Sequence, residues 1–315
     1  MIIGTIRRNG MRDVLIGTWA WGTGGNGSKM VFGNKQDESV LRQSFADAVK
    51  LGFTKWDTAA VYGMGTCESL LGSLIKDNDD IFISTKFMPA KKYKNGALTK
   101  SFEESMARLG RSSADLFWIH VPHDLLRNLE EAVPLMKEGR IKSIGISNVS
   151  LAHIKEAESF LAEKGLKLGA VQNHFSLLRN DQQPIIDYCN GRGITYYAYM
   201  VLEQGALSGR YSAKEHFPLL SMRGLAFPKS KFIKIEKLLG LMKEIAAKYD
   251  VDPSQIPILW AAGKGALPIV GITKPTHAAK LAAAINIELS PDEMKRLEDE
   301  AAATGIRQQG MWEPQ

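Results

Sequence analysis

The chain has little cysteine and no long apolar run, and each shortage excludes a class of protein. Its two cysteines, Cys67 and Cys189, stand far apart. They form neither a metal-ligand spacing nor a disulfide framework. The six histidines are scattered singly, with no His-Glu-x-x-His or comparable cluster, so no metal site is expected. No stretch approaches the length of a membrane span, and no membrane partner is expected. In residues 1–13 arginines follow after only a few apolar residues, which does not fit a secretory signal. A cytosolic, cytoplasmic protein is the expectation. Two phosphate-binding signatures are missing as well. Gly24, Gly25 and Gly27 follow Trp21, but nothing matches Gly-x-x-x-x-Gly-Lys-Ser/Thr, and no Gly-x-Gly-x-x-Gly lies between a strand and a helix. These glycines read as a flexible loop.

What remains is a chain of 315 residues, 44% hydrophobic, enough for one large core. Net charge is +6, from 40 basic and 34 acidic residues, a modest excess compatible with a phosphate-bearing ligand. The cluster Lys91-Lys92-Tyr93-Lys94 is short and reads as solvated loop surface, so no nucleic-acid partner is expected.

Taken in order, two short strands are expected around Arg8-Asn9-Gly10, a hairpin turn signal, with the second running to Gly17. Strands then alternate with amphipathic helices. Strands are expected at 55–58, 81–86, 116–120, 144–147, 170–172, 194–200 and 267–270. Helices are expected at 38–51, 68–75, 99–109, 129–137, 150–163 and 183–190, several of them stopped by glycine. Residues 205–232 are rich in Gly, Pro and Ser and break the rhythm, as functional loops do. Two more helices follow the last strand, the second capped by Ser290 with Glu293 as a capping box, and then a tail reaching Trp312. Short apolar strands alternating with helices imply a parallel sheet covered by helices. Eight strand–helix units with no linker favour a single (β/α)8 TIM barrel domain over 1–315 against an open doubly wound sheet. The barrel carries an N-terminal β-hairpin and an extra C-terminal helix and tail.

In such a barrel the active site lies at the C-terminal strand ends. Those ends offer Thr18, Asp57, Lys86, His120, Ser147, Asn148, Gln172, Tyr199 and Gly271. A loop after Asp57 adds Tyr62. Singly, each has a bland reading: a turn aspartate, a structural ion pair, a core histidine. Together, a lysine beside a tyrosine favours the phenolate, and a carboxylate beside that lysine keeps it charged. Such a group suits proton donation to a carbonyl oxygen while a hydride arrives from elsewhere.

The ordered motifs make this specific. Asp57-Thr58-Ala59, Tyr62-Gly63, Glu68, Ser84-Thr85-Lys86, Ile119-His120-x-Pro122, Gly145-Ile146-Ser147-Asn148 and Val171-Gln172-x-x-Phe175 come in sequence. Tyr199-x-x-Leu202-x-x-Gly205-x-Leu207-x-Gly209 and Pro268-Ile269-Val270-Gly271 complete the set. Over nearly the whole chain this pattern resembles the aldo-keto reductase family. The resemblance implies an eight-fold barrel that binds NADPH without a Rossmann motif and reduces a small-molecule aldehyde or ketone. It implies Tyr62 as general acid, Lys86 as the group lowering its pKa, Asp57 as the partner of Lys86, and His120 as the group orienting the carbonyl. Ser147, Asn148 and Gln172 would hold the nicotinamide carboxamide, and Tyr199 would stack on its ring. Thr18, Trp19 and Met200 would border the same cofactor. Leu202, Gln204, Leu207 and Arg210 would run along the pyrophosphate. Gly271, Thr273, Lys274, His277 and Lys280 would surround the adenosine end. Trp21, Val121 and Trp312, with Tyr62 and His120, would form the substrate pocket.

The chain departs from the family at three places. Val121 replaces a frequent aromatic, Met200-Val201 replaces a frequent Ser-Pro, and Lys280-Leu281 replaces a frequent Glu-Asn at the adenine. Two other functions stay open from sequence. One is a Schiff-base lyase with Lys86 as nucleophile. The other is a non-catalytic nucleotide-binding subunit.

Overall fold

Short runs of β-branched and aromatic residues become eight parallel strands that close on themselves. The structure is a computed structural model and describes residues 7–8, 11–25, 27–33, 36–218 and 221–309. Strands β1 (Arg7–Arg8) and β2 (Met11–Arg12) form an antiparallel two-stranded sheet. The barrel consists of β3 (Leu15–Gly17), β4 (Lys55–Asp57), β5 (Phe82–Phe87), β6 (Leu116–Ile119), β7 (Ile144–Ser147), β8 (Leu168–His174), β9 (Thr195–Tyr199) and β10 (Leu267–Gly271). Neighbours pair in sequence order, and β10 closes the ring between β9 and β3. The expected (β/α)8 barrel is therefore the fold. The hairpin differs in one respect. Its second strand ends at Arg12, and Leu15–Gly17 starts afresh as the first barrel strand.

Side chains alternate across a strand, so residues two apart share a face. That period sorts the barrel into two layers. Leu15, Leu116, Trp118, Ala170 and Tyr197 form a small buried cluster, with Phe82, Leu267 and Ile269 packed on it. This is the filling of the barrel. Their neighbours Ile16, Phe117, Ile119 and Val171 join the larger cluster between strands and helices. Trp118 fills its place because β7 offers Gly145 opposite. A Cβ there would come 2.3 Å from the indole ring, so only glycine fits.

The same period carries the inward face up to polar residues at the strand ends. Two residues beyond Trp118 is His120, beyond Gly145 is Ser147, beyond Ala170 is Gln172, and beyond Tyr197 is Tyr199. Hydrophobic filling below and polar groups above thus follow from one strand geometry.

Helices cover the outside. Ser290 and Glu293 form the expected capping box of helix Pro291–Ala303. Two helices appear where none was expected from sequence, Glu236–Lys248 and Gln255–Gly263. Residues 205–232 are also more ordered than a loop. The 3₁₀ turns of Glu203–Ser208 and the helix Lys229–Lys234 overlap the two ends of this segment, and the helix Met222–Ala226 lies within it. No helix of the described residues is long and apolar enough to cross a membrane.

Candidate active site

The register of β4 against β5 sets Asp57 beside Ser84, two residues before Lys86 on the same face. Lys86 is fully buried and its Nζ donates to the Asp57 carboxylate and to the Thr58 carbonyl, the latter at 2.7 Å. Ser84 Oγ donates to the other Asp57 oxygen at 2.7 Å and accepts from the Trp118 indole N–H at 2.6 Å. The barrel filling thereby fixes the carboxylate, and the carboxylate fixes the lysine. Burial pushes Asp57 up and Lys86 down, and each opposes the shift of the other through its charge.

Tyr62 arrives from the loop after β4. The chain turns sharply there through left-handed residues, with φ of 55° at Gly63, 54° at Met64 and 90° at Gly65. A Cβ at Gly63 would meet Thr66 Oγ1 at 2.3 Å and Gly22 Cα at 2.8 Å, so the turn needs glycine. Glu68 anchors the helix that follows, accepting from Thr85 Oγ1 at 2.5 Å and from Arg108 Nε at 2.7 Å. Lys86 Nζ lies 5.0 Å from the Tyr62 ring centroid. His120 meets the same ring edge-on at 6.0 Å, and Trp19 stacks on it at 5.8 Å.

Burial shifts Tyr62 and His120 in opposite directions. Burial, then the Asp57 carboxylate, push Tyr62 well above 10.0. The hydrogen bonds of the ammonium go to Asp57 and Thr58. Burial and the charge of Lys86 push His120 well below 6.5. At neutral pH the site therefore holds a protonated tyrosine and an uncharged histidine.

Beside this group Asn148 ties three strand ends together. Its Nδ2 donates to the His120 carbonyl at 2.8 Å, and its Oδ1 accepts from the Tyr199 hydroxyl at 2.6 Å. Asn148 holds this position with φ of 60°. Ser147 Oγ donates to the Gln172 carbonyl at 2.8 Å. Gln172 Nε2, by contrast, is buried with no hydrogen-bond partner among the described residues. Of the three amide-gripping residues expected, Gln172 has an unused donor, whereas Asn148 is spent on its neighbours. Tyr199 rests one face on His174, ring centroids 5.5 Å apart. His174 and Ser176 in turn hold Glu203 of the following loop, His174 Nε2 at 2.7 Å.

All of this opens into one cleft of about 990 Å³. Trp19, Asp57, Tyr62, His120, Ser147, Asn148, Gln172 and Tyr199 line it at the barrel mouth. Met200, Leu202, Gln204 and Arg210 continue it, and Gly271, Thr273, Lys274, His277 and Lys280 close its far end. Lys280 is paired there with Asp252. Five expected contacts lie behind the cleft wall. Lys86 is sealed beneath Tyr62, and Thr18 bonds the Asp57 carbonyl at 3.1 Å. Leu207 and Val121 are buried in the packing. Trp21 is no pocket wall: its indole donates to the Ile272 carbonyl at 2.6 Å and its ring packs on Trp56. Trp312 lies outside the described residues. Walls that sequence did not point to are Phe32, Tyr211, Met222, Arg223 and Leu225.

With this geometry in hand, the known proteins can be set beside it. The sequence profile described as Aldo/keto reductase family matches residues 13–301. A chloroplastic pyridoxal reductase of Arabidopsis thaliana is 29% identical over 303 residues, covering 90% of this chain and 81% of its own. A Schizosaccharomyces pombe aldo-keto reductase whose name specifies NADP(+) is 27% identical over 314 residues, with 91% of each chain covered. Among solved structures, a thermostable aldo-keto reductase in complex with the inhibitor epalrestat superimposes with a TM-score of 0.72 at 26% identity, covering 91% of this chain and 94% of the other. A glycerol dehydrogenase from Gluconobacter oxydans reaches a TM-score of 0.79 at 23% identity, with 96% of each chain covered, and shares the fold.

Proposed function

Since the chain belongs to the aldo/keto reductase family, we propose that it is an NADPH-dependent reductase turning an aldehyde or ketone into an alcohol, with Tyr62 as proton donor. The observation that carries this reading is the convergence of Tyr62, Asp57 and His120 at one cleft, with Lys86 buried behind them and Gln172 beside them. Gln172 lines that cleft, and its side-chain amide can pair with a nicotinamide carboxamide. The aromatic face of Tyr199 borders the cleft next to it, and Arg210, Lys274 and Lys280 bring positive charge to its length. These residues fit a phosphorylated dinucleotide.

When bound, NADPH supplies the hydride. The chain supplies the rest. Tyr62 is protonated across the neutral range and gives its hydroxyl proton to the carbonyl oxygen as negative charge builds there. His120, uncharged, can donate a ring N–H to that same oxygen without offering a second acidic proton. Lys86 stays behind the ring and stabilises the phenolate left when the proton departs. Asp57 keeps the ammonium charged and placed.

Lys86 does not suit a Schiff-base lyase. Its Nζ is sealed from the cleft and committed to two oxygens, so an external carbonyl has no path to it. A non-catalytic nucleotide-binding subunit would keep the same residues and show no turnover.

Cofactor choice is assigned to Lys274. It stands exposed at the N-cap of helix Pro275–Ala284, whose free amides also favour anions. His277 nearby is held below its ordinary value by burial, then by the charges of Lys274, Lys280 and Arg210. Asp252 offsets Lys280 there, which leaves Lys274 to meet a ribose 2′-phosphate. A charge-assisted bond is worth about 1.5–3 kcal/mol, so NADPH should be preferred over NADH by roughly ten- to a hundredfold. Lys274→Ala should raise KM for NADPH more than KM for NADH in steady-state assays. Equal changes for the two cofactors would remove Lys274 from this role.

A further inference from the structure

The cleft holds a cation that the reductase chemistry does not use. Arg223 sits half-buried on its wall, in the short helix Met222–Ala226. Its Nε is buried with no hydrogen-bond partner among the described residues. Its Nη2 reaches the Tyr211 hydroxyl at 3.4 Å, long for a hydrogen bond. The guanidinium lies over Phe217 at 4.5 Å and over Tyr211 at 5.4 Å from the ring centroids. Among the described residues no carboxylate pairs with it. Ring stacking orients the fork but does not neutralise it. A partly desolvated cation of this kind is costly unless an anion comes to it.

Position says which anion. Ser221, which caps the helix of Arg223, abuts Gly33 so closely that a Cβ on that glycine would lie 3.0 Å from it. Gly33 ends helix Ser28–Phe32, and Phe32 meets Trp19 edge-on at 5.4 Å. Trp19 then stacks on Tyr62. Arg223 thus shares the wall that leads through Phe32 and Trp19 to the proton donor. Met222 and Leu225 line the cleft beside it.

Building on the reductase reading, we propose that Arg223 receives a carboxylate at the far end of the substrate. The preferred substrates are then carbonyl compounds whose aldehyde and carboxylate are separated by an apolar or aromatic body lying against Trp19 and Phe32. A guanidinium fork binds a carboxylate through two parallel N–H···O bonds, and the terminal nitrogens, rather than the covered Nε, are the donors a ligand in the cleft would meet. Arg210 also lies over Tyr211, at 5.4 Å, so the dinucleotide is the competing anion.

The test compares para-carboxybenzaldehyde with its methyl ester, which has nearly the same shape and no charge. The readout is the ratio of kcat/KM values with NADPH, in the wild type and in Arg223→Gln. A second readout is free of turnover: binding of para-(hydroxymethyl)benzoate and its methyl ester to the NADP-loaded protein, followed by tryptophan fluorescence. The wild type should favour the carboxylate by about ten- to a hundredfold in both, and the variant should bring each ratio close to unity. Arg223→Lys, keeping charge but not the fork, should retain part of the preference. Ratios that are the same in wild type and Arg223→Gln would overturn the proposal. So would a variant whose sole change is weaker NADPH binding, which would give Arg223 to the dinucleotide. If neither aldehyde were turned over, the reductase reading would fall, while the binding ratios would still decide the role of Arg223.

Discussion

Tyr62→Phe is expected to lower kcat by about two to four decades while leaving NADPH affinity nearly unchanged. The substitution removes one hydroxyl and keeps the ring that stacks on Trp19 and meets His120. Neither contact involves the hydroxyl, so the pocket should keep its shape. The pH profile adds a second signature. Tyr62 is pushed well above 10.0 and His120 well below 6.5, so between those limits neither changes protonation. The kcat/KM of the wild type should therefore be flat over that range, falling only where alkali removes the phenol proton. A Tyr62→Phe enzyme near wild-type turnover would show that the proton comes from elsewhere. A wild-type profile breaking near neutrality would point to a different acid.

The second large effect concerns the buried pair. Lys86→Met leaves the Asp57 carboxylate buried with Ser84 and without its cation. Breaking a buried pair from one side costs about 3–5 kcal/mol, because a charge is stranded rather than merely unattached. Asp57→Asn strands the lysine and should cost a comparable amount. The double variant strands neither charge, so its loss of stability should be smaller than the sum of the two single losses by more than about 1 kcal/mol. Urea denaturation of the four proteins measures this coupling. Activity should separate from stability. Both single variants and the double one should be slow, since the cation behind the Tyr62 ring is gone or misplaced in each. Additive stabilities would mean that the two residues are held independently, which their contacts contradict.

Much of this was legible in the sequence, for reasons that particular residues make plain. Eight barrel strands were countable because each is a short, mostly apolar run that ends in a polar loop. Strand-end chemistry was legible because a parallel barrel sends every strand's C-terminal end to one face. Asp57, Lys86, His120 and Gln172 needed only that rule. Side-chain direction was harder. Trp19 and Trp21 are two residues apart, yet one lines the cleft and the other donates to Ile272 beneath it. They sit in a 3₁₀ turn, where no simple two-face alternation applies. Helix Gln255–Gly263 was hidden because Ile256, Pro257, Ile258, Leu259, Trp260 and Ala261 are all buried, which leaves no polar stripe. Helix Glu236–Lys248 did carry a signal, Leu238, Leu239, Met242, Ile245 and Ala246 at helical spacing. Phe32 and Arg223 reach the cleft through contacts between distant loops, and no local pattern announces that.

The depth at which Tyr62 is buried was not legible for a related reason. Proximity of Lys86 was foreseeable, but the committed partners of its Nζ and the desolvation of the phenol depend on packing. The outcome suits the proposed chemistry. A general acid must hold its proton until the carbonyl oxygen needs it.

The most direct test of the reductase assignment follows the hydride itself. NADPH with both hydrogens at the reactive nicotinamide carbon replaced by deuterium would be mixed with excess enzyme and para-carboxybenzaldehyde for a single turnover, and the product examined by mass spectrometry and NMR. The account predicts an alcohol bearing deuterium on its carbinol carbon, one equivalent for each NADP formed, with Tyr62→Phe slowing its appearance. An alcohol without deuterium, or no alcohol from this or any other aldehyde while NADPH binds normally, would contradict it.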